Sequence, residues 1–203
     1  HLFRARMVAG GRAAQGMPQL LQEVFLPHTK DYDVVNAMCS LLPQMLERLK
    51  VDKNEWPDQF ALLEELAQRR ERVCVDLLDV TLPQGKTLIN ELINGCTIPS
   101  DLMANETAIA ISRLGVWLRW IAVSAMPDVF DRLQMDEGCN WLMGSTFAYF
   151  YQGVESYILE KWLEFVLRYE HQHLSLHYDG IRIDNHSVEH AMKERMPPMG
   201  LPT

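Results

Sequence analysis

The sequence predicts a mainly helical α+β fold with few strands, and three observations carry that prediction. Two long stretches, 102–125 and 141–169, carry apolar residues at helical spacing. Beyond the first dozen residues, strand-like character is limited to a brief run at Lys30–Asp33 and to 173–184, where apolar and polar residues alternate. No internal repeat and no low-complexity segment interrupts this pattern.

Taken in order, the first dozen residues are basic and fit a strand, and Met17 to Phe25 fits a short amphipathic helix. Lys30 to Asp33 reads as a brief strand running into a helix over 34–50, with Pro43 expected to delay or kink it. Asn54-Glu55-Trp56-Pro57 opens a helical region over 59–80, since proline is accepted in a first turn. Thr81 to Lys86 reads as a break, and a short helix over 87–93 closes at Asn94-Gly95, a residue pair suited to a helix C-terminus. Pro99-Ser100-Asp101 is expected to cap the helix over 102–125, with Trp117 and Trp120 on its apolar faces, and Pro127 interrupts it. A second long helix over 141–169 leads to the hairpin, and the proline-rich end, 197–203, is expected to be poorly ordered unless docked.

The hairpin is read from Leu174, Leu176 and Tyr178 alternating with His173, Ser175 and His177. Asp179-Gly180 is the expected tight turn, and Ile181 and Ile183 begin the second strand. A carboxylate fixed on a turn between two strands suits a metal ion held at fixed geometry.

Bulk composition bounds these elements. A chain of 203 residues with 48% apolar and 23% charged content can bury a core as one large domain or two small lobes. No apolar run approaches the roughly 18 residues needed to cross a bilayer. The best candidate, Leu114 to Met126, is broken by Arg119, so no membrane span is expected. The chain begins at His1 without a signal-peptide pattern, which fits a fragment or a processed product. Cys39, Cys74, Cys96 and Cys139 show no CxxC spacing, as expected of free thiols in a reducing intracellular compartment. A net charge of −8 opposes nucleic-acid binding overall, although Arg4, Arg6 and Arg12 form one basic cluster and Arg69, Arg70 and Arg72 another. Gly85-Lys86-Thr87 lacks the upstream glycine of a phosphate-binding loop, and no GxGxxG or nucleophile elbow occurs.

Two acidic sites remain. Asp31 and Asp33 alternate at the end of the first strand, and Asp179 lies at the hairpin tip. Two-metal phosphoryl transfer needs carboxylates from separate parts of the chain to converge, and Asp33 (or Asp31) with Asp179 can supply that pair. The plainer alternative makes Asp31 a helix cap and Asp33 a solvated first-turn acid. Lys86 can reach a triphosphate from the start of its helix, or be simply solvated.

In chain order these elements resemble family A, DNA polymerase I-like, DNA polymerases. Asp31-Tyr32-Asp33-Val34-Val35-Asn36 stands where that family carries an aspartate at a strand end followed by a helix. Anchoring on Asp33 or on Asp31 gives two alignments, of which Asp33 is preferred. Lys86-Thr87 to Gly95 keeps the Lys-to-Gly interval of the family's fingers helix, with Asn94 replacing its stacking tyrosine. Gln152-Gly153 matches its Gln-Gly helix, and His177-Tyr178-Asp179-Gly180 its His-Asp-Glu turn, with an inserted tyrosine and a glycine for the glutamate. The likeness spans roughly residues 12 to 184.

The resemblance implies a small palm-like antiparallel sheet with a helical fingers-like insertion. Residues 1–50 would be palm with the first Asp motif, 51–135 fingers-like, and 136–203 palm with the Gln-Gly helix and Asp hairpin. It implies template-directed nucleotidyl transfer with Mg2+, a primed template and nucleoside triphosphates. Asp33 and Asp179 would hold the metal, assisted by Asp31. Lys86, Asn90, Gln152, His177 and Arg12 would contact substrate. Two other readings stay open. His171, His173 and His177 share a strand face and, with Asp179 or Glu170, fit a zinc or iron site. The tryptophans and eleven methionines fit a non-catalytic helical subunit or scaffold of a larger assembly.

Overall fold

The computed structural model describes residues 29–33, 36–136, 138–139, 141–167, 174–176 and 180–184, and the side chains within 36–164 other than 137 and 140. The chain divides into two compact units, one of residues 36–152 and one of 1–35 with 153–203.

The first unit is built of helices. Helix α1 spans Ala37–Arg48 and keeps Pro43 inside it, and α2 spans Pro57–Gln68 with Pro57 in its first turn. A helical turn at Arg70–Arg72 runs into a π-helical turn at Val73–Leu77. Helix α3 spans Leu82–Asn94, α4 Glu106–Ala125 and α5 Pro127–Gln134, with a short 3-10 turn at Ser100–Leu102. Helix α6 spans Leu142–Leu167, and the division between units falls within it at Gly153.

Helix α1 packs on α2, and α3 packs on α4. Their apolar stripes close a core of Leu41, Leu42, Leu46, Phe60, Leu63, Leu66, Ile89, Leu92, Ile93 and Ile111, all at most 2% exposed. Trp117 of α4 lies in the same unit, edge-on to Phe60 at 6.1 Å and tilted against Trp56 at 5.5 Å between ring centroids.

The α3–α4 crossing is set by Gly115. A Cβ at this position would lie 2.6 Å from the Ile93 carbonyl oxygen and 2.7 Å from Ile93 Cα, so only a residue without one lets the backbones meet. One turn along α4, Arg119 is buried and donates to the same Ile93 oxygen at 2.5 Å. That oxygen needs a donor because α3 ends in a Schellman turn. Cys96 N–H bonds Glu91 O and Gly95 N–H bonds Leu92 O, with Gly95 at φ 98, and neither reaches Ile93. A cation here also complements the negative end of the helix dipole. Burial lowers the Arg119 pKa from its ordinary value, and Cys96 pushes it the other way. Arg119→Met keeps the apolar stem but strands the Ile93 carbonyl. It should cost about 1–3 kcal/mol in urea unfolding, with Arg119→Lys losing less.

In the other unit, β1 (Thr29–Asp33), β2 (Leu174–Leu176) and β3 (Gly180–Asp184) form an antiparallel ladder in the order β1-β3-β2. The expected small palm-like sheet carrying a helical fingers-like insertion does not form. Every regular element from 36 to 167 is helical, and the described strands are only three to five residues long. The physical reason is that the helical stripes bury one another and need no sheet to cover them. The molecule is mainly helical.

Among the described helices, α4 alone has the length and apolar character to cross a membrane. Its Gly115 and Arg119 are engaged with α3 in the core, so it gives no clear membrane span.

Candidate functional site

The acidic strand end is defined by the ladder's register. Asp33 stands directly opposite Gly180, Asp31 opposite Arg182, and Thr29 opposite Asp184. Ser175 of β2 is the other neighbour of Arg182. Directly opposed residues share a face and alternate residues share a face. Thr29, Asp31 and Asp33 therefore fall on one face with Arg182, Asp184 and Ser175. Lys30, Tyr32, Ile181, Ile183, Leu174 and Leu176 fall on the other. The sequence pattern explains the split: one face reads polar and the other reads apolar apart from Lys30.

Gly180 belongs to β3 and pairs with Asp33, while Asp179, the other residue of the expected turn, lies outside the described residues. Asp179, His177 and Arg12 lie outside the described residues, as do His171, His173 and Glu170 of the zinc or iron reading. Among the described residues no group of three or more His, Cys, Asp or Glu is arranged to hold a metal ion.

The remaining predicted contacts belong to the helical unit. Helix α3 starts five residues earlier than expected. Gln84 Oε1 accepts from Thr81 N–H at 3.1 Å and from its hydroxyl at 2.7 Å, and Pro83 sits in the first turn. Lys86 is thus in the second turn rather than at the helix start. Gly85 is required beside it, because a Cβ there would run into Cys74 Sγ. Lys86 and Asn90, four residues apart, are both exposed on one face of α3. Gln152 is exposed on α6. An open groove lined by Leu62, Glu65, Arg72, Leu77, Glu106 and Ala110 carries an ion pair of Arg72 with Glu65 at 2.7 Å.

Asn36, three residues beyond Asp33, has a definite task that its sequence did not suggest. It adopts the left-handed conformation at φ 55, which asparagine tolerates. Its amide donates to Leu66 O at 2.7 Å and Ala67 O at 3.3 Å, and its Oδ1 accepts from Arg70 at 2.6 Å. This clasp ties the start of α1 to the end of α2. Below it, burial pushes the Cys39 thiol up to about 11, with Arg70 pulling the other way. The ordinary value is 9.0, so the unfolded chain ionises first. The neutral thiol's contribution is complete below about pH 9 and is lost as pH rises towards 11, an effect of about 2–3 kcal/mol. Urea midpoints should fall over that window, and less steeply in Cys39→Ala.

Comparison with protein-family models, curated proteins and solved structures returned no match.

Proposed function

We propose metal-dependent, template-directed nucleotidyl transfer at the strand end where β1 meets β3. The single observation that supports it is the pairing of Asp33 with Gly180, because Asp179 immediately precedes Gly180 in sequence. Asp33 thus lies on a strand paired with one that begins immediately after Asp179 in sequence, nearly 150 positions along the chain. The donor set suits a hard cation: carboxylate oxygens are the ligands Mg2+ prefers, and Asp33 stands opposite a residue with no side chain. Bound there, the ion would offset charge on the attacking oxygen and the leaving pyrophosphate. The primer's 3′ oxygen attacks the α-phosphorus, the bond to pyrophosphate breaks, and the hydroxyl proton passes to solvent.

A second reading, a non-catalytic helical subunit of a larger assembly, is favoured by α4. Its Val116 and Trp120 sit one turn apart, 44% and 59% exposed.

Primer extension by the whole chain separates the two. Incorporation of nucleotide in Mg2+ or Mn2+ is the expected result. No incorporation of any deoxyribonucleotide or ribonucleotide with either metal, by a chain whose helical circular dichroism is intact, removes the catalytic reading and leaves the subunit.

A further inference from the structure

Asn94 alone among the asparagines of this chain precedes a glycine. That pair is self-reactive by elementary chemistry. The backbone nitrogen of the following residue can attack the asparagine's own Cγ, and glycine offers no side chain to hinder the approach. The N–Cγ bond forms, and the nitrogen's proton passes through water to the departing amide, which leaves as ammonia. Water then opens the cyclic imide at either carbonyl, giving aspartate or isoaspartate. Asn94 is exposed, so water reaches it and ammonia can leave.

The fold holds this reaction back at the end of α3. As the last residue of the helix, Asn94 must leave its helical ψ before the Gly95 nitrogen can meet Cγ. That move breaks the bond from Gly95 N–H to Leu92 O at 3.1 Å and the one from the Asn94 amide to Asn90 O at 2.8 Å. Gly95 is also wedged in place. A Cβ on it would lie 2.7 Å from Trp141 Cζ2 and 2.8 Å from Arg119 Nη1, so both side chains pack against the backbone that has to swing. Arg119 is fixed in turn on Ile93 O, whereas Trp141, just before α6, is 50% exposed.

We propose that Asn94 is a site of spontaneous deamidation whose rate is governed by the clamp of Arg119 and Trp141 on Gly95. The inference is independent of nucleotidyl transfer. Its product acts on the same joint. A carboxylate at position 94 opposes the negative end of the α3 dipole. Isoaspartate further lengthens the backbone by a carbon inside the turn that bonds Cys96 N–H to Glu91 O. A modified chain is therefore looser where α3 meets α4, and the change is one-way.

Incubation of the whole chain at neutral pH, with peptide mass mapping of timed samples, tests the proposal. In urea, Asn94 should be the first asparagine converted. In the folded chain it should still convert, but roughly tenfold to a hundredfold more slowly, the protection given by two hydrogen bonds that local opening must break. Trp141→Ala should speed conversion of the folded chain at least about threefold by making that opening easier. Trp120→Ala, which removes an exposed ring from the other side of α4, should leave the rate unchanged. Trp141→Leu gives the same comparison if the alanine variant does not fold. An Asn94 that keeps its amide in the folded chain while the urea sample converts fully would overturn the site. Equal rates in folded and unfolded chain would overturn the clamp, as would a folded Trp141 variant converting no faster than the wild type.

Discussion

Gly115→Val is expected to unfold the helical unit under conditions in which the wild type is stable, at a cost of at least about 3 kcal/mol. The contacts a new Cβ would meet are Ile93 O, Ile93 Cα and Leu92 O, all backbone, so no side-chain rotation can relieve them. Helices α3 and α4 must separate, and separation also breaks the Arg119 bond to Ile93 one turn further on. The sign of a milder variant identifies the cause. In an exposed helix, Gly→Ala stabilises by roughly 1 kcal/mol through backbone entropy. Gly115→Ala should instead destabilise, because close approach outweighs propensity. Urea unfolding followed by far-ultraviolet circular dichroism measures both, and a stabilised Gly115→Ala would show that the crossing is looser than described.

Asp33→Asn is expected to lower nucleotide incorporation at least about a thousandfold, the equivalent of roughly 4 kcal/mol of lost charge stabilisation. Helical content should not change, since the substitution preserves shape and lies on a strand of the other unit. Asp179→Asn should match it. Asp31→Asn should cost less than about tenfold, in line with its place opposite Arg182 rather than Gly180. Single-turnover primer extension measures all three. Equal losses at Asp31 and Asp33 would return the two aspartates to equivalence, and retained synthesis in Asp33→Asn would remove β1 from the chemistry.

The parts of this molecule that were legible in sequence are those governed by near neighbours. The strand at Lys30–Asp33 and the terminus at Asn94-Gly95 both form where the pattern put them, the second because only glycine readily adopts φ 98. Thr81-Leu82-Pro83-Gln84 shows the limit. The proline and glycine of this stretch read as a break, yet Thr81 and Gln84 start a helix through it, and Gly85 is there to admit Cys74. Ser100-Asp101 likewise looked like the start of the long helix. The working cap is Asn105, whose side chain accepts from Ala108 N–H at 2.9 Å. The expectation of a sheet framing the helices failed for a related reason: whether helical stripes bury one another depends on tertiary pairing, which local periodicity does not encode.

Contacts between distant positions left no pattern at all. Asn36 reaches Leu66 across 30 residues and Arg119 reaches Ile93 across 26, so neither could be inferred from spacing. Of the candidate site, the aspartates were visible as residues and the resemblance preferred Asp33 to Asp31, but the strand partner of each was not visible. Register gives those partners, Gly180 for Asp33 and Arg182 for Asp31, and register is a property of two strands rather than one.

The joint between α3 and α4 has a mechanical consequence. Gly115 forbids any rotation that would bring a larger residue to the crossing, and Arg119 pins the terminal carbonyl on the same stripe. Sliding by one turn, about 5.4 Å, would lose both fittings together. The pair should therefore behave as a single stiff lever. Its amides should exchange with solvent in one late, cooperative step, and the faces carrying Lys86 and Trp120 should keep a constant mutual angle through any motion of the rest of the chain.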